Sequence, residues 1–205
     1  MCSITGRYTG SPETAMESDL AKLRGVNTTE NFKKVLEDII DNLLTRDFWS
    51  ITLPLDLATS SSTSPSIYAY YASQYVLGAN GLFSKLKVSD LLQEGLRSKK
   101  TALERHHLFP KAWLERNGVS DQTQRNQIAN YALVEWSDNI TISDSHPRDY
   151  LPFYLERLSD SEKDLMYYWH ALPLNWQELE FNSFLIERRK LIAQVVSDAY
   201  IKISE

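Results

Sequence analysis

The sequence predicts a mainly α protein of the α+β class: a helical body that carries one small strand–strand–helix insert. Long segments repeat apolar residues at helical spacing and open with helix-start residues, whereas strand character is confined to Thr101–Leu108 and the run "YALV" at 131–134. A length of 205 residues, 42% of them hydrophobic and 24% charged, suits one sizeable core or two small ones.

Ser11 followed by Pro12 and Glu13 opens a first helix, "ETAMESDLAKLR", closed by Gly25. In "TTENFKKVLEDIIDNLLTRDF" the residues Phe32, Val35, Leu36, Ile39, Ile40, Leu43 and Leu44 share one helical face. "TSSSTSPS" (59–66) is a turn-rich loop, and "IYAYYASQYVL" after it reads as a buried helix that stops near Gly78 and Gly81. A short helix "SDLLQEGLRS" precedes the first strand. "PKAWLERNG" forms a short helix capped by Gly118, a polar helix or loop runs to Gln127, and "WSDNITIS" is a helix after the second strand. Helices starting at Pro147, after Ser159 and through "FNSFLIERRKLIAQVVSDAYIKI" complete the chain. The expected division is 1–100 helical, 101–145 the insert, and 146–205 C-terminal helices packing on the same domain.

The single cysteine, Cys2, has no internal disulfide partner, no run reaches about eighteen apolar residues, and no charged-then-apolar leader opens the chain. A cytoplasmic protein without membrane association is expected. A net charge of -5 argues against coating nucleic acid by bulk electrostatics. Locally the balance reverses: Arg97, Lys99, Lys100, Arg105, Lys111, Arg116 and Arg125 face only Glu104, Glu115 and Asp121. That stretch surrounds the one polar constellation of note, the pair His106–His107 at the end of the first strand, Asn130 opening the second, and Asn139 on the helix after it.

Histidine titrates near neutrality, so one imidazole of the pair can take a proton from water. The other, with an amide oxygen, can hold a divalent cation. Two protein ligands leave most of the shell to waters and a phosphate, which Mg²⁺ tolerates, and imidazole also admits Mn²⁺ or other divalent cations. In-line attack on a phosphodiester needs such a water, a base and a cation opposite the leaving oxygen.

"HHLFP" followed by "IANYALVEWSDN" resembles the HNH nuclease motif of the ββα-metal family. The resemblance implies His107 as the general base, His106 and Asn139 as metal ligands, and Asn130 as the residue that ties down the loop and orients the base. "ITGRYTGSPETAMESDL", "ERHHLFPKAWL", "HPRDYLPFYL" and "FLIERRKLI" are similar to the C-terminal region of GmrSD-type bacterial restriction and anti-phage defence proteins. It implies a helical domain with an embedded ββα-metal (HNH) finger, DNA as partner, and a ParB-like nucleotide-hydrolysing module or subunit that this chain lacks. Lys111, Arg105 and Arg125 are the expected DNA contacts. Ile140 and Thr141 stand where relatives place Arg or Lys, which motivates an alternative: a catalytically inactive DNA-binding or assembly module. A zinc-stabilised structural finger is a third reading, disfavoured because no cysteine lies near the site.

Arg7 in "TGRYTG" can reach phosphate or make structural hydrogen bonds, His146 reads as a turn residue and His170 as a packing residue. The five Trp and eleven Tyr fall mostly on apolar helix faces, and no phosphate-cradling glycine loop occurs.

Overall fold

The computed structural model describes residues 2–92 and 103–205 and divides into two compact units, Met1–Leu53 and Pro54–Glu205. The stretch expected as one helical part, 1–100, is thus shared between both units, while 103–145 and 146–205 lie together in the second.

The first unit holds α1 (Cys2–Thr5), α2 (Pro12–Leu23), α3 (Thr29–Leu43) and a π-helical turn, Phe48–Thr52. Thr28 caps α3, its hydroxyl accepting from the Asn31 amide at 3.2 Å. The apolar periodicity runs on to Leu44, yet the helix stops at Leu43. Thr45 begins a separate turn by accepting the Phe48 amide at 3.2 Å, so a local cap overrides the pattern. α2 packs on α3, and Asp19 of α2 is buried and binds Arg7 through two contacts, one of 2.6 Å, and the Tyr8 hydroxyl at 2.9 Å. The Arg7 guanidinium holds the Asp19 carboxyl well below the usual carboxylate range. Arg7 therefore serves the fold of this unit.

The second unit contains α4 (Leu53–Asp56, begun at the last residue of the first unit), α5 (Pro65–Val76), α6 (Val88–Leu92), β1 (Leu103–His107), α7 (Lys111–Arg116), α8 (Gln122–Arg125), a 3₁₀ turn (Ile128–Asn130) and β2 (Tyr131–Glu135). Beyond them come α9 (Trp136–Ile142), α10 (Pro147–Leu155), α11 (Asp160–Trp169), a 3₁₀ turn (Trp176–Glu178) and α12 (Phe181–Ser204). The protein is mainly helical with one small antiparallel sheet. Residues 93–98 of the expected helix "SDLLQEGLRS", and Lys99, Lys100, Thr101 and Ala102, lie outside the described residues.

The core forms where α12 packs on α5, with Phe184, Leu185, Ile192, Ala193, Val195 and Val196 facing Ile67, Tyr70, Ser73 and Gln74. Arg188 falls on the same apolar stripe and is fully buried. Its guanidinium donates to the His170 carbonyl at 3.0 and 3.1 Å and to the Ala129 carbonyl at 2.7 Å. His170 is itself a core node: its Nε2 donates to the Asn80 carbonyl at 2.9 Å. Burial drives its pKa down to about 3.

β1 and β2 pair antiparallel with His106 opposite Ala132 and His107 opposite Tyr131. Ala132 and Val134 turn into the core while Tyr131, Leu133 and Glu135 stay half-exposed. Leu82 adds a short parallel bridge beside Val134, its amide donating to the Leu133 carbonyl at 2.7 Å. Among the described residues no helix is long and apolar enough to cross a membrane.

Candidate active site

β1 and β2 deliver the two histidines, and α9 leaves β2 directly, so strand, strand and helix meet where Asn139 projects from α9. Alternation along β1 places Glu104 and His106 on one face and Arg105 and His107 on the other.

On the first face the His106 Nδ1 lies 2.7 Å from the Asn139 Oδ1, and the Asn139 Nδ2 donates to the Glu104 carboxylate at 2.8 Å. The chain has one self-consistent polarity. A carboxylate only accepts, so the amide turns its NH₂ toward Glu104 and its oxygen toward His106, and the imidazole must then carry its proton on Nδ1. His106 is buried, which disfavours its imidazolium against the support of the Asn139 bond, and its Nε2 is buried with no protein partner.

On the second face the His107 Nε2 lies 3.0 Å from the Asn126 Oδ1, which also receives the Tyr131 hydroxyl at 3.3 Å. The Tyr131 ring sits 4.3 Å from the imidazole centroid to centroid. Because the Asn126 oxygen accepts, Nε2 carries the proton and Nδ1 is left with the lone pair. Burial lowers the His107 pKa to about 4; the Asn126 bond opposes the shift, and the nearby positive charges of Lys111 and Arg105 reinforce it. The ring is therefore neutral at pH 7.

Asn130 is fully buried at the start of β2. Its Oδ1 accepts the Phe109 amide at 2.9 Å, and its Nδ2 donates to the Phe109 and Arg125 carbonyls, both at 3.0 Å. The side chain thus sews the loop after His107 to the loop before β2, and it acts on His107 only by fixing the backbone. The Tyr150 hydroxyl donates to the Leu108 carbonyl at 2.9 Å and anchors the same turn from α10.

The basic residues separate. Lys111 and Arg105 are exposed, the Arg105 guanidinium lying 5.6 Å over the Tyr131 ring. Arg125 is buried and paired, to Glu115 at 3.1 Å and to the Ser120 carbonyl at 3.4 Å, so it braces the loop. Arg116 pairs with Asp144 at 2.9 Å. His146 caps α10, accepting the Arg148 amide at 3.2 Å, and stacks 4.3 Å from Trp113.

Sequence reasoning missed Glu104, Asn126 and Arg188. Glu104 carried a signal, because two residues before His106 on a strand is the same face. Arg188 carried one too: a charge at i+4 from Phe184 and i−4 from Ile192 lies on the apolar stripe. Asn126 carried none, being one of several polar residues in a loop.

Comparison with protein-family models, with curated proteins and with solved structures finds no match for this chain.

Among the described residues no three His, Cys, Asp or Glu side chains gather as metal ligands. The donor set that does gather relies on an amide: the Asn139 oxygen, the His106 imidazole and the Glu104 carboxylate in one hydrogen-bonded row. The Asn139 oxygen and the His106 Nδ1 are spent on their mutual hydrogen bond, so a divalent cation held by both would have to take the place of the Nδ1 proton.

Proposed function

We propose that the protein is a metal-dependent endonuclease that hydrolyses DNA phosphodiester bonds, of the HNH type, serving restriction or anti-phage defence. The observation that carries the reading is the contact between His106 at the end of β1 and Asn139 on α9. Two residues 33 apart in the chain, assigned the same role by motif resemblance, lie 2.7 Å apart.

His106 and Asn139 would hold the cation, Mg²⁺ or Mn²⁺, which when bound supplies stabilisation of charge on the attacked phosphate and the leaving 3′-oxygen. The remaining chemistry belongs to the chain. The neutral His107 accepts the proton of the attacking water at Nδ1. Asn126 and the Tyr131 ring fix the imidazole's orientation, Asn130 fixes the backbone under it, and Lys111 with Arg105 receive the phosphate backbone.

The test is plasmid nicking by the purified protein with Mg²⁺ or Mn²⁺. The parent cleaves and His107→Ala does not; equal rates sink the assignment. The catalytically inactive DNA-binding module has its own supporting observation. Ile140, where the family its motif resembles carries a basic residue, is 56% exposed and offers phosphate nothing. That reading expects DNA binding without divalent cation and no cleavage by the parent. Either reading leaves room for a ParB-like nucleotide-hydrolysing partner.

A further inference from the structure

The helix α5 has two faces. Ile67, Tyr70, Ser73 and Gln74 are buried, whereas Tyr68 and Tyr75 are 56% and 53% exposed, and Tyr71 lies half-buried at the border. Steps of three and four residues set Tyr68, Tyr71 and Tyr75 in one row along the helix. That row borders the face of the sheet that carries His107. Arg105, two residues before His107 on β1, lies within electrostatic reach of the Tyr71 and Tyr131 phenols. Tyr70 stacks on Tyr71 at 6.3 Å between centroids and braces it from the core side. Burial pushes the Tyr71 phenol up to about 12 against the pull of Arg105, so the ring is uncharged at neutral pH. Tyr131 offers no free face, because its ring already has His107 at 4.3 Å and Arg105 at 5.6 Å.

Charge is the second observation. The chain as a whole carries -5, yet this face is positive. Arg105 and Lys111 are exposed, form no ion pair with any described residue, and add to the burial that disfavours a charged His107. α5 contributes no charge of either sign. Open rings beside unpaired cations fit a polyanion that carries flat groups of its own. In a duplex those flat groups are covered by their neighbours, and two cations are few against two rails of phosphate. In a single strand every base has a face to offer, and stacking on an aromatic side chain holds it without regard to sequence. Along α5, Tyr68 and Tyr75 are about 10 Å apart at 1.5 Å per residue, about three steps of a stacked strand.

We propose that the row Tyr68–Tyr71–Tyr75 of α5, with Arg105 and Lys111, binds a single strand of DNA: bases stack on Tyr68 and Tyr75, and the two cations take the phosphates beside His107. The inference rests on the nuclease reading for the strand's place at His107, and it makes unpaired DNA the substrate class.

The test measures binding rather than cutting. Fluorescence anisotropy of the full chain is recorded in EDTA with a labelled oligothymidine and with a labelled hairpin duplex. The parent binds the single strand at least about tenfold more tightly than the duplex. Tyr68→Ala and Tyr75→Ala each weaken single-strand binding at least about fivefold, leave duplex binding within about twofold, and keep the parent's melting temperature because both rings are exposed. Tyr68→Phe and Tyr75→Phe bind like the parent, since the ring face remains. Lys111→Ala and Arg105→Ala each reduce the salt slope of single-strand binding by about one. Equal affinity for strand and duplex overturns the proposal, as does a parent that binds neither. Alanine variants that bind like the parent overturn it too, as do phenylalanine variants that lose as much as the alanine ones.

The two readings fail separately. A parent that nicks plasmid with Mn²⁺ yet shows no preference for the single strand removes only this inference. A parent that binds the single strand with the stated tyrosine losses and cuts nothing with Mg²⁺ or Mn²⁺ removes the nuclease reading alone, and the tyrosine row then serves the catalytically inactive DNA-binding module.

Discussion

In the proposed nuclease His107 works as a base only while its ring is unprotonated, and the desolvation that lowers its pKa to about 4 secures that form at physiological pH. The same burial weakens it as a proton acceptor, so the orientation given by Asn126 carries much of its usefulness. Two outcomes follow for the proposed nuclease. His107→Ala lowers the nicking rate by about 10²- to 10⁴-fold. In the parent, the step controlled by this group is flat from about pH 6 to 8 and falls as pH approaches about 4, where the ring protonates. A rate profile in Mn²⁺ with a midpoint near 6.5 would show an exposed, unperturbed base and contradict the geometry. At this scale the sequence singled out His106, His107, Asn130 and Asn139 through their order, spacing and motif resemblance, and the structure brings His106 to Asn139. Asn126 stayed hidden, since a side chain supplied by the long connection between β1 and β2 has no period to mark it.

Each strand of the ladder is too short to hold a register by itself, and the loop between them would be free to drift without Asn130. Three of its hydrogen bonds end on backbone groups of two separate turns. Asn130→Ala leaves a buried amide and two carbonyls without partners and lowers the unfolding free energy of the second unit by about 3 kcal/mol, read by urea titration. Asn130→Asp is little better, because it keeps one acceptor and turns charge toward two carbonyls. The longer helices were readable from caps and apolar spacing, whereas the short segments Cys2–Thr5, Phe48–Thr52 and Leu53–Asp56 carried no such signal. The stop of α3 at Leu43 belongs to Thr45. The bridge of Leu82 to the sheet was invisible because one residue of pairing leaves no alternation to read.

Across the second unit, burial lowers the pKa of all four histidines: His106, His146, His107 to about 4 and His170 to about 3. The unfolded chain binds protons at these positions near pH 6.5, so between those limits the unfolded state carries more protons. Their contribution to stability is fully present above about pH 6.5 and is gone once pH has fallen through the folded values. The melting temperature of the second unit therefore drops between pH 7 and pH 4, measured by calorimetry, and His170→Asn flattens part of that slope. Arg188 ties the unit together across longer distances. Arg188→Met strips donors from the His170 and Ala129 carbonyls, destabilises by about 3 kcal/mol and reduces any nicking activity although it lies outside the site. The clamp also has a temporal meaning. The carbonyl it grips stands beside Asn130, and the guanidinium is synthesised 59 residues later. The loop that carries Asn130 is therefore fastened only once translation has passed into α12, so a chain cut short before Arg188 leaves that loop without its clamp.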